Sequence, residues 1–296
     1  MMIFGISILN KVINFFFLII FILYIIFINV NNGQKISTNF HKNLKNYNFS
    51  TSFIAHAAGG IDGKTYTNSL EAINNSIDNG FKLIELDLLV TDDGKIVAQH
   101  DFRLLEAICK KDFFYDKEKK NRKIILFSEI VNCNKIFDDK YTLLKENQII
   151  EIFESNKNLI LITDKIDNYK LINKKFKFQD RLIVEVFNIQ DYLRAKINGI
   201  KNPMFLFTDG RRNYLYTIFF NIKLISISTA NTAKYDNFLK YLFRNKVSIF
   251  SFSSNSLEFN QKYIGKTITG VYTDFWDIKS FSCTEINKNP KACTSY

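Results

Sequence analysis

The chain is 296 residues long, with a formal net charge of +11, 47% hydrophobic residues and four cysteines. That apolar content excludes a disordered polyelectrolyte, and the length suits one large domain with short appendages. Positive charge alone invites a nucleic acid, but Lys, Asn, Ile and Phe recur along the whole chain without a nucleic-acid motif, so no nucleic acid is expected as a partner.

From Met1 to Val30 the only charged side chain is Lys11, and Phe15 to Ile28 is unbroken apolar sequence within Val12–Val30. Such a run is long enough to span a bilayer and longer than the core of a signal peptide, and no Ala-x-Ala-like cleavage site follows. The expectation is a transmembrane signal-anchor over residues 1–31, with a removed signal as the alternative. By analogy with exported enzymes, the remainder is expected outside the cytoplasm, periplasmic or extracellular. Residues 32–50 are polar and patternless and read as a linker.

Phe53-Ile-Ala is a short apolar run ending at His56, followed by Ala57-Ala58-Gly59-Gly60. Lys82–Val90 reads as a strand. Its alternation puts Leu83, Glu85, Asp87 and Leu89 on one face and Ile84, Leu86 and Leu88 on the other. Leucine on both faces implies a buried strand in a parallel sheet covered by helices; a half-exposed strand with hydrated carboxylates is the plainer alternative. Two buried carboxylates are costly without a partner, and a hard divalent cation removes that cost. Asp92-Asp93-Gly94 is a tight-turn signal that folds Ile96–His100 back towards Glu85 and Asp87. A lone histidine at a strand end is more often structural. Two of them beside a carboxylate pair, His56 and His100, supply an acid and a base on either side of a cation, the parts needed to cleave a phosphodiester.

Residues 101–141 form an insert carrying a basic cluster, Lys110-Lys111, Lys117, Lys119-Lys120 and Arg122-Lys123, around Phe113-Phe114-Tyr115. It reads as a solvated loop, or alternatively as a patch that meets anionic lipid headgroups. Beyond it, apolar runs at Leu159–Thr163, Leu182–Phe187, Met204–Phe207, Leu224–Ile227, Val247–Phe252 and Ile268–Tyr272 alternate with helical stretches. With the strands at Phe53 and Leu83 they make eight, which argues for a (β/α)8 TIM barrel over residues 51–277, followed by a tail at 278–296. Active sites in this fold lie at the C-terminal strand ends, where His56, Glu85, Asp87, Asp164 and Asp274 all fall. The cysteines lack metal-site spacing and fall as one pair in the insert and one in the tail. In an exported barrel Cys283–Cys293 and Cys109–Cys133 are expected as disulfides; free thiols are the cytosolic alternative.

Together the motifs resemble the glycerophosphodiester phosphodiesterases, within the wider group that includes phosphatidylinositol-specific phospholipase C and sphingomyelinase D. The family has a histidine loop after its first strand, Asn-Thr or Asn-Ser opening a helix, Glu-x-Asp on the second strand, then His-Asp, and Gly-Ile-x-Thr-Asp at the last strand. This chain has His56, Asn68-Ser69, Glu85-Leu-Asp87, His100-Asp101 and Gly270-Val-Tyr-Thr-Asp274. The resemblance implies hydrolysis of a phosphodiester, such as a glycerophosphodiester or a lysophospholipid headgroup. It implies His56 and His100 as catalytic acid and base, Glu85, Asp87 and Asp164 on Mg2+ (alternatively Ca2+), and Lys165, Gly59 and Gly60 near the substrate phosphate. Two positions depart from the pattern. Ala57 stands where the family has a phosphate-clamping arginine, and Thr67 where it has a metal-binding glutamate. A Glu, Asp, Asp ligand set is closer to sphingomyelinase D, so sphingomyelinase D-like or cyclising phospholipid chemistry is the alternative, with a non-catalytic barrel binding a phosphorylated ligand as a third reading.

Overall fold

Eight parallel strands close on themselves in the computed structural model of the chain, which describes residues 52–109, 126–130, 132–137, 140–285 and 290–293, and isolated positions 15, 16, 20 and 23. The strands are β1 (Phe53–Ala55), β2 (Leu83–Val90), β3 (Ile160–Asp164), β4 (Leu182–Val186), β5 (Asn202–Phe207), β6 (Leu224–Ser228), β7 (Ser248–Phe252) and β8 (Gly270–Thr273). Each pairs with the next, and β1 pairs with both β2 and β8, which closes the ring. Helices follow the strands around the outside, so the expected (β/α)8 barrel is what forms.

Alternation along each strand divides its side chains between two cores. Ile54, Leu83, Ile160, Ile162, Ile183, Met204, Leu224, Phe250 and Tyr272 pack inside the barrel. Ile84, Leu86 and Leu88 belong to the larger layer between strands and helices. Glu85 and Asp87 therefore follow Leu83 on the inward face of β2, one and two steps closer to its C-terminal end. The same period carries β3 from Ile162 to Asp164, and the parallel register sets Asp87 opposite Asp164.

The segment after β2 turns at Thr91–Gly94 and returns as the strand Ile96–Ala98, antiparallel to β2. This is the reversal expected from Asp92-Asp93-Gly94, and it delivers His100 to the barrel mouth. The insert packs a small core of its own, with Leu89, Val97, Leu105, Ile130, Ile136, Tyr141 and Leu143 buried together. Cys109–Cys133 ties its helix Phe102–Cys109 to the hairpin that follows, and Cys283–Cys293 staples the tail. Both expected pairings are present. The basic cluster of residues 110–123 lies outside the described residues. So do the expected signal-anchor and linker, apart from Phe15, Phe16, Ile20 and Leu23, which are helical and exposed. Among the described residues no helix is long and apolar enough to cross a membrane.

Candidate active site

The first loop is shaped by left-handed backbone. Ala57 and Ala58 have φ of 48° and 73°, values that non-glycine residues adopt only when surrounding contacts compensate. One compensation is visible: the Ala57 N–H donates to Glu85 Oε2 at 2.6 Å. The turn thus binds a carboxylate through backbone at the place where the family's arginine would stand.

Asn68 explains the Asn-Ser pair in physical terms. Its φ is 47°, and its amide meets β2 twice. Asn68 Nδ2 donates to Asp87 Oδ2 at 2.9 Å, and Asn68 Oδ1 accepts from the Asp87 N–H at 3.0 Å. Next to it, Ser69 caps the helix Leu70–Asp78 by accepting from the Ala72 N–H. Asn68 orients the carboxylate while Ser69 starts the helix. Thr67 is fully buried, with its hydroxyl 3.1 Å from Ser69 Oγ.

Glu85, Asp87 and Asp164 each offer an oxygen, and these atoms all lie within 4.8 Å of one another. Burial, then the charges of Asp87 and Asp164, pushes the Glu85 carboxyl well above its ordinary range. Burial, then the Asp87 charge, pushes Asp164 up to about 7. Asp164 Oδ1 is buried without a hydrogen-bond partner. Such an orphaned oxygen beside two other buried carboxylates fits a hard divalent cation, which accepts oxygen ligands and cancels their repulsion. Lys165 follows Asp164 directly. In a continuing strand the two would point to opposite faces, but Lys165 has φ of 60°, and its Nζ donates to Asp87 Oδ1.

The two histidines are each held at Nδ1 by a carboxylate. His56 meets Asp274 Oδ1 at 2.9 Å, and His100 meets Asp101 Oδ2 at 3.0 Å. Burial alone would lower the His56 pKa, but the Asp274 hydrogen bond and charge, together with the charges of Asp87 and Asp164, outweigh it and the value is raised. Asp274 is fixed in turn by Asn255 Oδ1, which accepts from the N–H groups of Asp274 and Phe275 at 2.9 and 3.0 Å. His100 is more exposed than His56.

A cavity of about 320 Å³ brings together His56, His100, Glu85, Asp87, Asp164 and Lys165. Gly59 and Gly60, expected near the phosphate, are not among its lining residues. Gly60 donates its N–H to the Asp274 carbonyl at 2.7 Å, and a Cβ there would lie 2.3 Å from the Phe275 ring. That glycine lets the first loop press against the end of β8. A larger groove of about 570 Å³ adjoins the cavity at Phe187, but its one carboxylate, Asp209, is bonded to Lys234 and Tyr235. The imidazoles and the three close carboxylates gather in the smaller cavity.

Seven lining residues were not singled out in the sequence, and three of them, Glu185, Tyr272 and Tyr66, carry titratable side chains. Glu185 lies inside the barrel and accepts from Ser226 Oγ and Tyr272 Oη, both at 2.9 Å. A carboxylate two residues after Ile183 in the run Leu182–Val186 was a legible signal for it. Tyr272 is likewise an inward position of β8. Tyr66 stands at the mouth between the two histidines, and no local pattern marks it.

Carboxylates that can hold a cation, flanked by two imidazoles at the C-terminal mouth of one barrel, are the equipment of the barrel phosphodiesterases. Comparison with known proteins narrows that class. The sequence profile of the glycerophosphoryl diester phosphodiesterase family matches residues 60–278. The chain belongs to that family and is a phosphodiesterase. Solved structures agree in fold. A glycerophosphodiester phosphodiesterase from Parabacteroides distasonis superposes with a TM-score of 0.58 at 15% identity, over 76% of this chain and 92% of that one. One from Thermotoga maritima gives 0.55 at 23% identity, over 78% and 96%. A phosphodiesterase from Oleispira antarctica, solved with the product sn-glycerol-3-phosphate, gives 0.57 at 15% identity, over 77% and 94%. Among curated proteins no sequence matches significantly.

Proposed function

We propose that the protein hydrolyses a glycerophosphodiester to glycerol phosphate and a free alcohol, with His56 and His100 as acid and base and Glu85, Asp87 and Asp164 as ligands of Mg2+, or alternatively Ca2+. The observation that carries this reading is the convergence of three mutually close carboxylates with both histidines and Lys165 in one cavity. The bound cation would supply positive charge to the non-bridging phosphate oxygens, where charge develops in phosphoryl transfer. Lys165 adds a second positive charge beside Asp87. With Nδ1 of each histidine engaged, Nε2 is the nitrogen left for the substrate. One imidazole accepts the proton of the attacking hydroxyl and the other protonates the leaving oxygen. The glycerol phosphate product of the Oleispira antarctica relative supports a glycerophosphodiester over sphingomyelin-type substrates.

The apolar stretch Val12–Val30 is proposed to anchor the barrel to a membrane, with the catalytic domain outside the cytoplasm. Two disulfides support an oxidising compartment.

The test is release of choline or ethanolamine from glycerophosphocholine, glycerophosphoethanolamine and lysophosphatidylcholine by the purified protein. Turnover with Mg2+ and its loss in EDTA are expected. Turnover unchanged by EDTA overturns the metal assignment, and no turnover on any of the three overturns the substrate class.

A further inference from the structure

We infer that Tyr66 is a positioning residue for the reaction, a wedge whose ring fixes both imidazoles at the mouth of the site. This rests on the reading of His56 and His100 as acid and base. The Tyr66 ring lies 4.7 Å from the His56 ring at an interplanar angle of 76°, and 5.0 Å from the His100 ring at 86°. Both are edge-to-face contacts in the distance range where such pairs attract. One side chain thus touches two rings that arrive from opposite ends of the motif, from the loop after β1 and from the strand beside β2.

The wedge is needed because the carboxylates alone underdetermine the rings. A single hydrogen bond at Nδ1 fixes one ring atom and leaves the plane free to rock about it. His56 has further walls, including Tyr272 at 6.2 Å. The His100 side chain is 41% exposed and has Asp101 and Tyr66 to hold it. A proton transfer needs the donor and acceptor atoms within hydrogen-bond reach and aligned. A tilted imidazole loses that alignment while still carrying its proton.

The local fold is built to keep Tyr66 there. It remains 39% exposed at the mouth and adopts a left-handed φ of 56°, a conformation an aromatic residue takes only under constraint. The loop before it is closed by reciprocal Ile61 and Lys64 backbone bonds of 3.0 and 2.9 Å. Asp62 in that loop accepts from Tyr141 Oη at 2.9 Å and from Lys140 Nζ at 2.7 Å. The insert therefore clamps the loop, and the loop presents the ring.

The experiment compares Tyr66→Leu and Tyr66→Phe in the full chain, by steady-state kinetics on glycerophosphocholine with Mg2+ and by NMR of the imidazole carbon-bound protons. The chain has three histidines, so His41 serves as an internal control. Tyr66→Leu should lower kcat by roughly tenfold or more, as misorientation of reacting groups does, with KM little changed. Tyr66→Phe keeps the ring and should restore kcat. The His56 and His100 signals should move in Tyr66→Leu with the loss of the ring current, and the His41 signal should stay. If Tyr66→Leu does not fold, Tyr66→Met is read by the same criteria. Undiminished kcat, an effect confined to KM, or unmoved histidine signals overturn the inference. Full turnover in His56→Ala and His100→Ala would instead overturn the acid–base reading beneath it, and the two failures are distinct.

Discussion

His56 Nδ1 lies 2.9 Å from Asp274 Oδ1 across 218 residues of chain, so the first loop and the end of the last barrel strand share one hydrogen bond beside the site. Barrel closure is what brings them together: β1 pairs with β8, with Ala55 opposite Thr273, one residue before each partner. Asp274 orients the ring and, together with the charges of Asp87 and Asp164, outweighs the burial that would otherwise lower its pKa.

Asp274→Asn should therefore lower the His56 pKa, since burial would then be opposed only by the charges of Asp87 and Asp164. The limb of the pH–rate profile governed by His56 should move to lower pH. The stability effect has a sign as well. A histidine whose folded pKa is raised adds stability below its unfolded pKa and loses it as pH rises through the folded value. Asp274→Asn should accordingly destabilise the protein more at pH 5 than at pH 8, by about 1–3 kcal/mol at the acid end. Equal destabilisation at both pH values, measured by urea unfolding, would contradict the pairing.

His56→Ala and His100→Ala should each reduce turnover by roughly 100-fold or more, the usual worth of a general acid or base. His41→Ala should leave it unchanged. Kinetics of the three variants on one substrate decide the matter, and wild-type rates in both site variants would remove the histidines from the mechanism.

Cation binding should appear as a pH-dependent thermal shift. Asp164 and Glu85 have raised folded pKa values, about 7 for Asp164. Raised carboxyls hold protons in the folded state that the unfolded chain has released, so the metal-free protein loses stability as pH rises through about 7. Mg2+ at 100 times its Kd restores about 2.7 kcal/mol. The difference in Tm between Mg2+ and EDTA should be larger at pH 8 than at pH 5.5, where protons compete for the same oxygens. In Asp164→Asn it should shrink. A shift independent of pH and of Asp164 would place the cation elsewhere.

Removing Cys109–Cys133, which spans 24 residues, should cost the insert about 3 kcal/mol of stability by loop-closure entropy. The double variant Cys109→Ser, Cys133→Ser should show faster amide hydrogen exchange at Leu105 and Ile136, with the inner barrel residues Leu83 and Ile162 unaffected. Uniform acceleration across the barrel would mean that the insert does not unfold on its own.

What was legible in the sequence was what repeats locally. The period-2 pattern of Leu83 to Leu89 placed Glu85 and Asp87 on one face of a buried strand, and the eight apolar runs with helical spacers implied the barrel. The two cysteine pairs were near in sequence and paired as expected. What was not legible depends on backbone that few residues signal. Ala57, Tyr66, Asn68 and Lys165 all have positive φ, and each brings a group to the site, the Ala57 N–H on Glu85, the Tyr66 ring between the histidines, and Asn68 and Lys165 on Asp87. The Asp274 partnership with His56 is the other gap. Its two members are joined by barrel closure and by nothing local.

The most direct test is 31P NMR of glycerophosphocholine incubated with the purified protein and Mg2+, alongside the same reaction in EDTA. A phosphomonoester signal from glycerol phosphate, growing with Mg2+ and absent in EDTA, is the expected result. An unchanged diester signal under both conditions, from protein shown to be folded, would contradict a metal-assisted glycerophosphodiesterase at this site.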